Sequence, residues 1–223
     1  MIHSETVADR LAAIHARIAH IAKIAGRKSN DVELIAISKT HDAEAIRPLI
    51  AAGQRVFGEN LVQEAAGKWP ALMAETPDIT LHLVGQLQSN KAEEAVALFD
   101  VIHSVDRPSL VTAIAKAQEK LGKRPACFLQ VNIGNEPQKG GCAVVNLPAL
   151  LASARGAELN IAGLMAVPPA GIEAAPFFAL LAKLARDNSA TGLSMGMSDD
   201  FETAIMLGAT HIRIGSALFG ARG

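Results

Sequence analysis

The chain has 223 residues, half of them hydrophobic, and a formal net charge of -1. This length suits one domain or two small ones, and the hydrophobic fraction is enough for a large buried core. The small net charge gives no electrostatic reason to expect a nucleic acid or an anionic membrane as a partner. No apolar run approaches the ~20 residues that a membrane helix needs. The N-terminus lacks the basic and then apolar layout of a signal peptide.

Two cysteines, Cys127 and Cys142, are present, and they match neither a disulfide framework nor the ligand spacing of a metal site. Two reduced thiols are typical of a cytoplasmic protein, and we therefore expect that location. The sequence contains no tyrosine at all, which limits the reactions considered below.

The predicted elements begin with an amphipathic helix from Ser4, the expected N-cap, to Gly26, the expected stop. Apolar strands and helical patterns then alternate. The strands are expected at 32–38, 55–60, 79–85, 101–106, 126–132, 160–167, 192–197 and 211–215. The helices between them are expected at 42–53, 61–69, 90–99, in a longer stretch ending at 121, and at 147–156, 176–187 and 198–208, with a short segment closing the chain.

About eight strand–helix units are therefore present, and several strands are apolar on both faces, as parallel strands covered by helices are. Such alternation with short connections indicates a parallel α/β fold. The number of units and the length favour one (β/α)8 TIM barrel spanning residues 1–223, with the opening helix against its outside or bottom. A doubly wound open sheet is the competing topology.

Functional residues of a TIM barrel lie at the carboxyl ends of its strands. In this sequence, polar and small residues collect at these predicted positions. They include Lys39, Asn60, Gln86, Asn132, Ser198, Arg213, Gly215 and Ser216. Because all of these ends meet at one rim of a barrel, their shared placement predicts a binding site there.

Lys39 directly follows the apolar first strand, which directs it toward the barrel mouth. The ordinary alternative is a lysine whose side chain simply extends from a strand end into water. A partly desolvated lysine favours its neutral amine, and a neutral amine can form a Schiff base with an aldehyde. Pyridoxal 5'-phosphate is a common biological aldehyde with this chemistry. We therefore predict that Lys39 binds this cofactor.

A phosphate group requires an anion site, and barrels commonly provide one after strands seven and eight. Ser198 and Ser216 follow these strands, each beside a small residue at an expected helix N-terminus. Both serines are also good helix N-caps, which is the alternative explanation. Asp199 and Asp200 would repel an anion, so Ser198 is the weaker candidate of the two.

Arg213 lies inside the apolar eighth strand. A buried arginine is costly unless it is paired, so a surface-facing position is the alternative. If Arg213 points inward, its permanently charged guanidinium can donate to a pyridine nitrogen and keep that nitrogen unprotonated. Five other notable residues are expected only to pack or to support the structure: His82, His103, His211, Met195 and Met197.

Seven ordered segments resemble the pyridoxal phosphate homeostasis proteins, which are similar to the N-terminal domain of alanine racemase. These segments are AISKTH, FGENLVQEA, HLVGQLQSNK, VNIGNEPQKGG, GLMAVPP, SMGMSDDFETAI and GATHIRIGSALFGAR. The resemblance implies a fold-type-III barrel with pyridoxal phosphate on Lys39. It also implies Arg213 beside the pyridine nitrogen, Gly215 and Ser216 at the phosphate, and Asn60 near the cofactor.

The resemblance further implies a cofactor-handling protein without strong catalytic turnover. Such a protein holds pyridoxal phosphate as a Schiff base and takes part in intracellular vitamin B6 homeostasis and supply. The expected partners are the cofactor itself and the apoenzymes that need it, and the expected oligomeric state is a monomer.

Two enzymatic alternatives remain open. The first is a slow racemase acting on amino acids with the same cofactor. That reaction needs a second acid or base opposite the lysine, a tyrosine from an additional β domain, and this sequence has neither the tyrosine nor residues to spare for the domain. The second is a phosphosugar isomerase or aldolase on the same barrel.

Overall fold

The structure, a computed structural model, describes residues 6–220. Eight parallel strands close into a barrel in chain order, and the eighth strand pairs with the first. This closure confirms the predicted TIM barrel and excludes the open doubly wound sheet. The strands are β1 (Glu33–Ile37), β2 (Val56–Glu59), β3 (Thr80–Leu83), β4 (Val101–Val105), β5 (Ala126–Gln130), β6 (Asn160–Met165), β7 (Gly192–Ser194) and β8 (His211–Ile214).

Helices cover the outside of the barrel. They are α1 (Val7–Ile24), α2 (Ala43–Ala51), α3 (Val62–Glu75), α4 (Ala92–Leu98), α5 (Pro108–Leu121), α6 (Leu147–Gly156), α7 (Ala175–Asp187), α8 (Phe201–Met206) and α9 (Ser216–Phe219). Within residues 6–220, no helix combines the length and the apolarity that a bilayer crossing requires. The predicted elements are confirmed, although β7 is three residues shorter at its end than expected and α3 continues past residue 69.

The ends of α1 are fixed by local hydrogen bonds. Thr6 is its N-cap, and Thr6 and Asp9 form a reciprocal capping box. Ser4, the N-cap expected from the sequence, lies outside the described residues, and Thr6 takes the capping role. Gly26 follows the helix with a φ of +68°, a left-handed conformation that ends helices, as expected.

Helix α1 lies on the outside of the barrel, where it packs against α2, α8 and α9. Its buried face consists of Leu11, Ile14, Ile18 and Ala22. On its outer side, Arg17 donates to the Glu202 carboxylate at 2.8 Å and its guanidinium lies 4.6 Å from the Phe201 ring centre. The opening helix therefore anchors α8, the helix that follows β7.

The strands separate two apolar layers. On β1, Leu34 and Ala36 belong to the core beneath the helices, whereas Ile35 and Ile37 alternate with them and face the barrel interior. Gly58 on β2 leaves the room that these isoleucines occupy, because a Cβ there would lie 2.6 Å from Ile37 and 2.8 Å from Ile35. Side chains thus fill this part of the interior, and within residues 6–220 a cavity opens near the carboxyl ends.

Close packing of β6 on β7 generates a stability prediction. A Cβ at Gly163 would overlap the Gly192 carbonyl, a backbone group that cannot rotate away. We expect Gly163→Ala to lower the free energy of unfolding by roughly 1–3 kcal/mol, measured by urea denaturation. The control is Gly67→Ala on α3, where a Cβ meets open space. It should raise stability by about 0.5–1 kcal/mol, and equal stability of Gly163→Ala and the wild type would contradict the close approach.

Candidate functional site

A cavity of about 420 Å³ opens at the carboxyl ends of the strands. Apolar side chains of Ile37, Val84 and Val167 form part of its wall. All six residues predicted from the sequence line this cavity: Lys39, Asn60, Ser198, Arg213, Gly215 and Ser216. The structure thus brings together residues that are up to 177 positions apart, although their role toward a ligand stays a prediction.

The other polar residues after the strands lie elsewhere. The Gln86 amide donates to Gln130 at 2.5 Å, and Asn132 holds its own loop through hydrogen bonds with the backbone of Glu136 and Lys139. These residues shape the neighbouring loops rather than line this cavity.

Lys39 differs from the two other rim lysines. Lys91 pairs with Glu94 at 2.8 Å, and Lys139 pairs with Glu136 at 2.6 Å and donates to the Pro168 carbonyl. Among residues 6–220, Lys39 has neither a hydrogen-bond acceptor nor an ion-pair partner for its amine. An amine that is partly shielded from water and unpaired is available to a ligand in the cavity.

Arg213 points into the barrel and is 5 % exposed, so the surface-facing alternative is wrong. Its guanidinium donates to Ser194 Oγ at 2.7 Å and to the Ala166 carbonyl at 2.9 Å. Within the described residues, no carboxylate lies at ion-pair distance from it. Burial lowers the pKa of Arg213 to about 10, against an opposing effect of Asp200, so the group remains a cation at neutral pH. Its unused N–H donors can serve a ligand in the cavity.

A chain of hydrogen bonds extends from Arg213 into the barrel. Ser194 Oγ accepts from Arg213 and lies 2.9 Å from His103 Nδ1. His103 Nε2 in turn lies 2.9 Å from His82 Nδ1. Each of these two contacts joins one donor to one acceptor, and the tautomers of the histidines set which nitrogen donates.

The two histidines of this hydrogen-bond chain and the neighbouring His211 are neutral. Burial and, to a smaller extent, proximity to His211 lower the pKa of His82 to about 3. Burial, followed by His82 and Arg213, holds the pKa of His103 well below its usual value. Burial and Arg213 also lower the pKa of His211 to about 4. The cation of Arg213 therefore lies beside uncharged hydrogen-bonding groups and not beside further positive charge.

The expectation that His82 and His103 are core histidines is confirmed, but their link to Arg213 was missed. The sequence contained a signal for this link, because apolar and polar residues alternate along these strands. His82 stands between Leu81 and Leu83, and Arg213 between Ile212 and Ile214. Since the flanking residues face the helices, the polar residue between them must face the interior.

The loops after β7 and β8 meet at one wall of the cavity. Ser216 Oγ donates to Ser198 Oγ at 3.2 Å, and Ser216 begins α9 directly after Gly215. Ser198 precedes α8 by three residues, and Asp200, not Ser198, is the residue at the cap position of that helix. Two adjacent hydroxyls and the backbone N–H groups of this loop can donate to an anion.

The two methionines near this wall differ from each other. Met195 is fully buried, as expected. The packing prediction for Met197 is wrong, because its side chain is 38 % exposed and lines the cavity. The chain turns sharply after β7 at Gly196, which has a φ of +95°, and this turn carries Met197 out of the core.

Comparisons with known proteins agree with this geometry. The family model described as "Alanine racemase, N-terminal domain" matches residues 10–223. The Pyridoxal phosphate homeostasis protein of Pseudomonas aeruginosa is 44% identical over 226 residues, which cover 97% of this chain and 96% of that protein. The chain belongs to the pyridoxal phosphate homeostasis protein family. The sequence-based resemblance is therefore confirmed.

Two further members of the family extend the comparison. The Pyridoxal phosphate homeostasis protein of Escherichia coli K12 is 36% identical over 232 residues, covering 97% of each chain. The structure of PipY from Synechococcus elongatus PCC7942, solved with pyridoxal phosphate bound, has 41% sequence identity and a TM-score of 0.84. The match covers 96% of this chain and 100% of PipY. The family thus includes a barrel of the same size that holds this cofactor.

The neutral histidines generate a pH prediction. An unfolded histidine binds a proton below a pH of about 6.5, whereas His82 in the folded protein binds one only below a pH of about 3. Between these two values the unfolded state binds more protons, so the free energy of unfolding decreases as the pH falls. We expect His82→Gln to reduce this slope by about 1.4 kcal/mol per pH unit near pH 5. Urea denaturation at several pH values measures this slope for both proteins. Above a pH of about 7.5 the two curves should run parallel, and an unchanged slope in acid would contradict a neutral buried His82.

Proposed function

We propose that this chain binds pyridoxal 5'-phosphate covalently through Lys39 and takes part in intracellular homeostasis and supply of the cofactor. The observation that carries the proposal is the cavity itself. It combines an unpaired lysine amine with a buried arginine cation that has unused donors. Membership of the family and the cofactor bound to PipY support the same conclusion.

Each wall of the cavity suits one part of this ligand. Pyridoxal phosphate supplies an aldehyde that condenses with an amine, a pyridine nitrogen that accepts a hydrogen bond, and a phosphate dianion. Lys39 supplies the amine, and Arg213 supplies a donor that stays protonated at neutral pH. Ser216, Gly215 and Ser198 supply hydroxyl and backbone donors for the phosphate.

Asn60 follows β2 and lines the same cavity beside the Lys39 turn. Within residues 6–220, its side-chain amide has no protein partner, so both of its hydrogen-bonding groups are available to the ligand. We propose that it contacts the cofactor from the second strand.

A carrier role is favoured over a racemase. Racemisation needs an acid or base on each face of the substrate carbon, and Lys39 is the one lysine among the described residues that lines the cavity. The sequence offers no tyrosine for the other face. An arginine beside the pyridine nitrogen also leaves the ring a weaker electron sink than a protonated pyridinium. We therefore propose slow turnover at most.

We also propose a cellular location, recipients of the cofactor and an oligomeric state. Cys127 and Cys142 are both free and buried, which suits a reducing cytoplasm. Apoenzymes that require pyridoxal phosphate are the proposed recipients of the cofactor. We propose that the protein acts as a monomer, because its barrel closes without leaving a sheet edge.

Replacing the lysine tests covalent binding. Lys39→Ala should lose the visible absorbance that appears when the wild type is mixed with pyridoxal phosphate. Borohydride should fix the cofactor to Lys39 in the wild type, which peptide mass mapping detects. Lys91→Ala is the control and should behave as the wild type. A wild type that stays colourless and unlabelled would contradict the proposal and favour a phosphosugar enzyme instead.

Isotope exchange separates the carrier from the racemase. The loaded protein is incubated in deuterium oxide with each amino acid, and NMR and optical rotation follow exchange of the α proton and loss of chirality. Because the sequence offers no tyrosine for the face opposite Lys39, we expect no inversion on the timescale of an ordinary enzyme, about one turnover per second or faster. Fast inversion of any amino acid would contradict the carrier role.

A further inference from the structure

The turn that carries Lys39 is held by a lysine from another element. Lys68, on α3, donates from Nζ to the Ser38 carbonyl at 2.9 Å and to the His41 carbonyl at 2.8 Å. Its side chain is only 9 % exposed. A single buried cation thus binds the backbone just before and just after the Lys39–Thr40 pair.

Two carboxylates complete this arrangement. Glu64 Oε1 accepts from the Thr40 backbone N–H at 2.6 Å and from Lys68 Nζ at 2.7 Å. Glu59, fully buried at the end of β2, lies 2.9 Å from Lys68 Nζ and accepts from Ser38 Oγ at 2.6 Å. Ser38, Thr40 and His41 are therefore all fixed, and Lys39 between them keeps a free amine.

The turn needs this support because its backbone is strained. Thr40 has a φ of +65°, in the left-handed region that β-branched residues rarely adopt. Such a conformation persists only where the surroundings impose it, and it recurs at ligand-binding sites. The hydrogen bond from Thr40 N–H to Glu64 supplies one of these constraints directly.

We propose that Lys68, Glu64 and Glu59 form a clamp that positions Lys39 for capture of the cofactor aldehyde. The clamp fixes the 38–41 turn so that the Lys39 side chain starts from one place at the cavity wall. It acts on the lysine end of the site and leaves the phosphate end unaffected. This inference rests on the proposed function and assigns the positioning residues of the same site.

Charge and placement support a positioning role. Partial burial would raise the pKa of Glu64, but the hydrogen bonds from Lys68 and Thr40 outweigh it and hold the pKa below its usual value. Glu64 is therefore ionised at neutral pH, when the clamp has to act. Two of the four contacts of Lys68 Nζ are with main-chain carbonyls of one turn, which fix a backbone more firmly than a contact with one mobile side chain would.

The test compares two ligands that share a ring and a phosphate. Pyridoxal 5'-phosphate carries the aldehyde, and pyridoxine 5'-phosphate carries an alcohol that cannot react with an amine. Lys68→Met should slow the appearance of visible absorbance by about tenfold or more, because a small displacement of a reacting group has a large kinetic effect. The dissociation constant for pyridoxine 5'-phosphate should stay within about twofold of the wild type.

Matched variants separate the clamp from general loss of structure. Lys120→Met removes an exposed lysine paired with Glu93 on the outside of the barrel and should match the wild type in both assays. Glu64→Ala should slow capture, and Glu64→Gln should restore much of the rate, because the amide oxygen still accepts from Thr40. Ser216→Ala should weaken both ligands, by about fivefold for one hydrogen bond.

A further variant neutralises Glu59 together with Lys68, so that no buried carboxylate is left without its cation. If Lys68→Met does not fold, the double variant Lys68→Met/Glu59→Gln is measured instead. It should slow capture and leave pyridoxine 5'-phosphate binding unchanged.

The outcomes are distinct. Normal capture rates in every folded clamp variant would overturn the clamp and leave the proposed function intact. Equal weakening of both ligands would also overturn it, because the residues would then support the whole site. A wild type that binds pyridoxine 5'-phosphate but never labels Lys39 would instead contradict the proposed function.

Discussion

The pairing of β1 with β8 is the interaction on which the site depends. It sets Ile35 opposite Arg213 and Ala36 opposite Ile214, and so places the residues after the two strands side by side at one rim. The first and last strands are about 180 residues apart in sequence, and no local preference joins them. Closure also removes both sheet edges, so the backbone hydrogen bonds of every strand are satisfied within the barrel.

Closure creates an interior where a cation can be kept without a carboxylate. Arg213 is held by a hydroxyl and a carbonyl, and the nearest titratable groups along its hydrogen-bond chain are neutral histidines. A buried charge of this kind costs stability unless something accepts its remaining donors. The barrel therefore keeps the remaining donors of this cation available at the cavity, where a ligand can accept from them.

The site is divided between two supports that act on opposite ends. Helix α3 fixes the Lys39 turn through Lys68 and Glu64, whereas the loops after β7 and β8 provide the hydroxyl and backbone donors. His41 connects the two, because its ring stacks on Phe219 of α9 with 4.0 Å between ring centres. Binding and positioning are thus carried by different elements, and single substitutions can separate them.

The sequence by itself determined the order of strands and helices, the barrel, and six of the residues that line the cavity, because apolar periodicity and position after a strand are local properties. Only the tertiary structure decided that Met197 is exposed and that His103 and Lys68 support the site. Lys68 reaches Ser38 across 30 residues and His103 reaches Ser194 across 91. Such contacts exist only after the chain has folded, since they depend on where distant strands and helices come to lie.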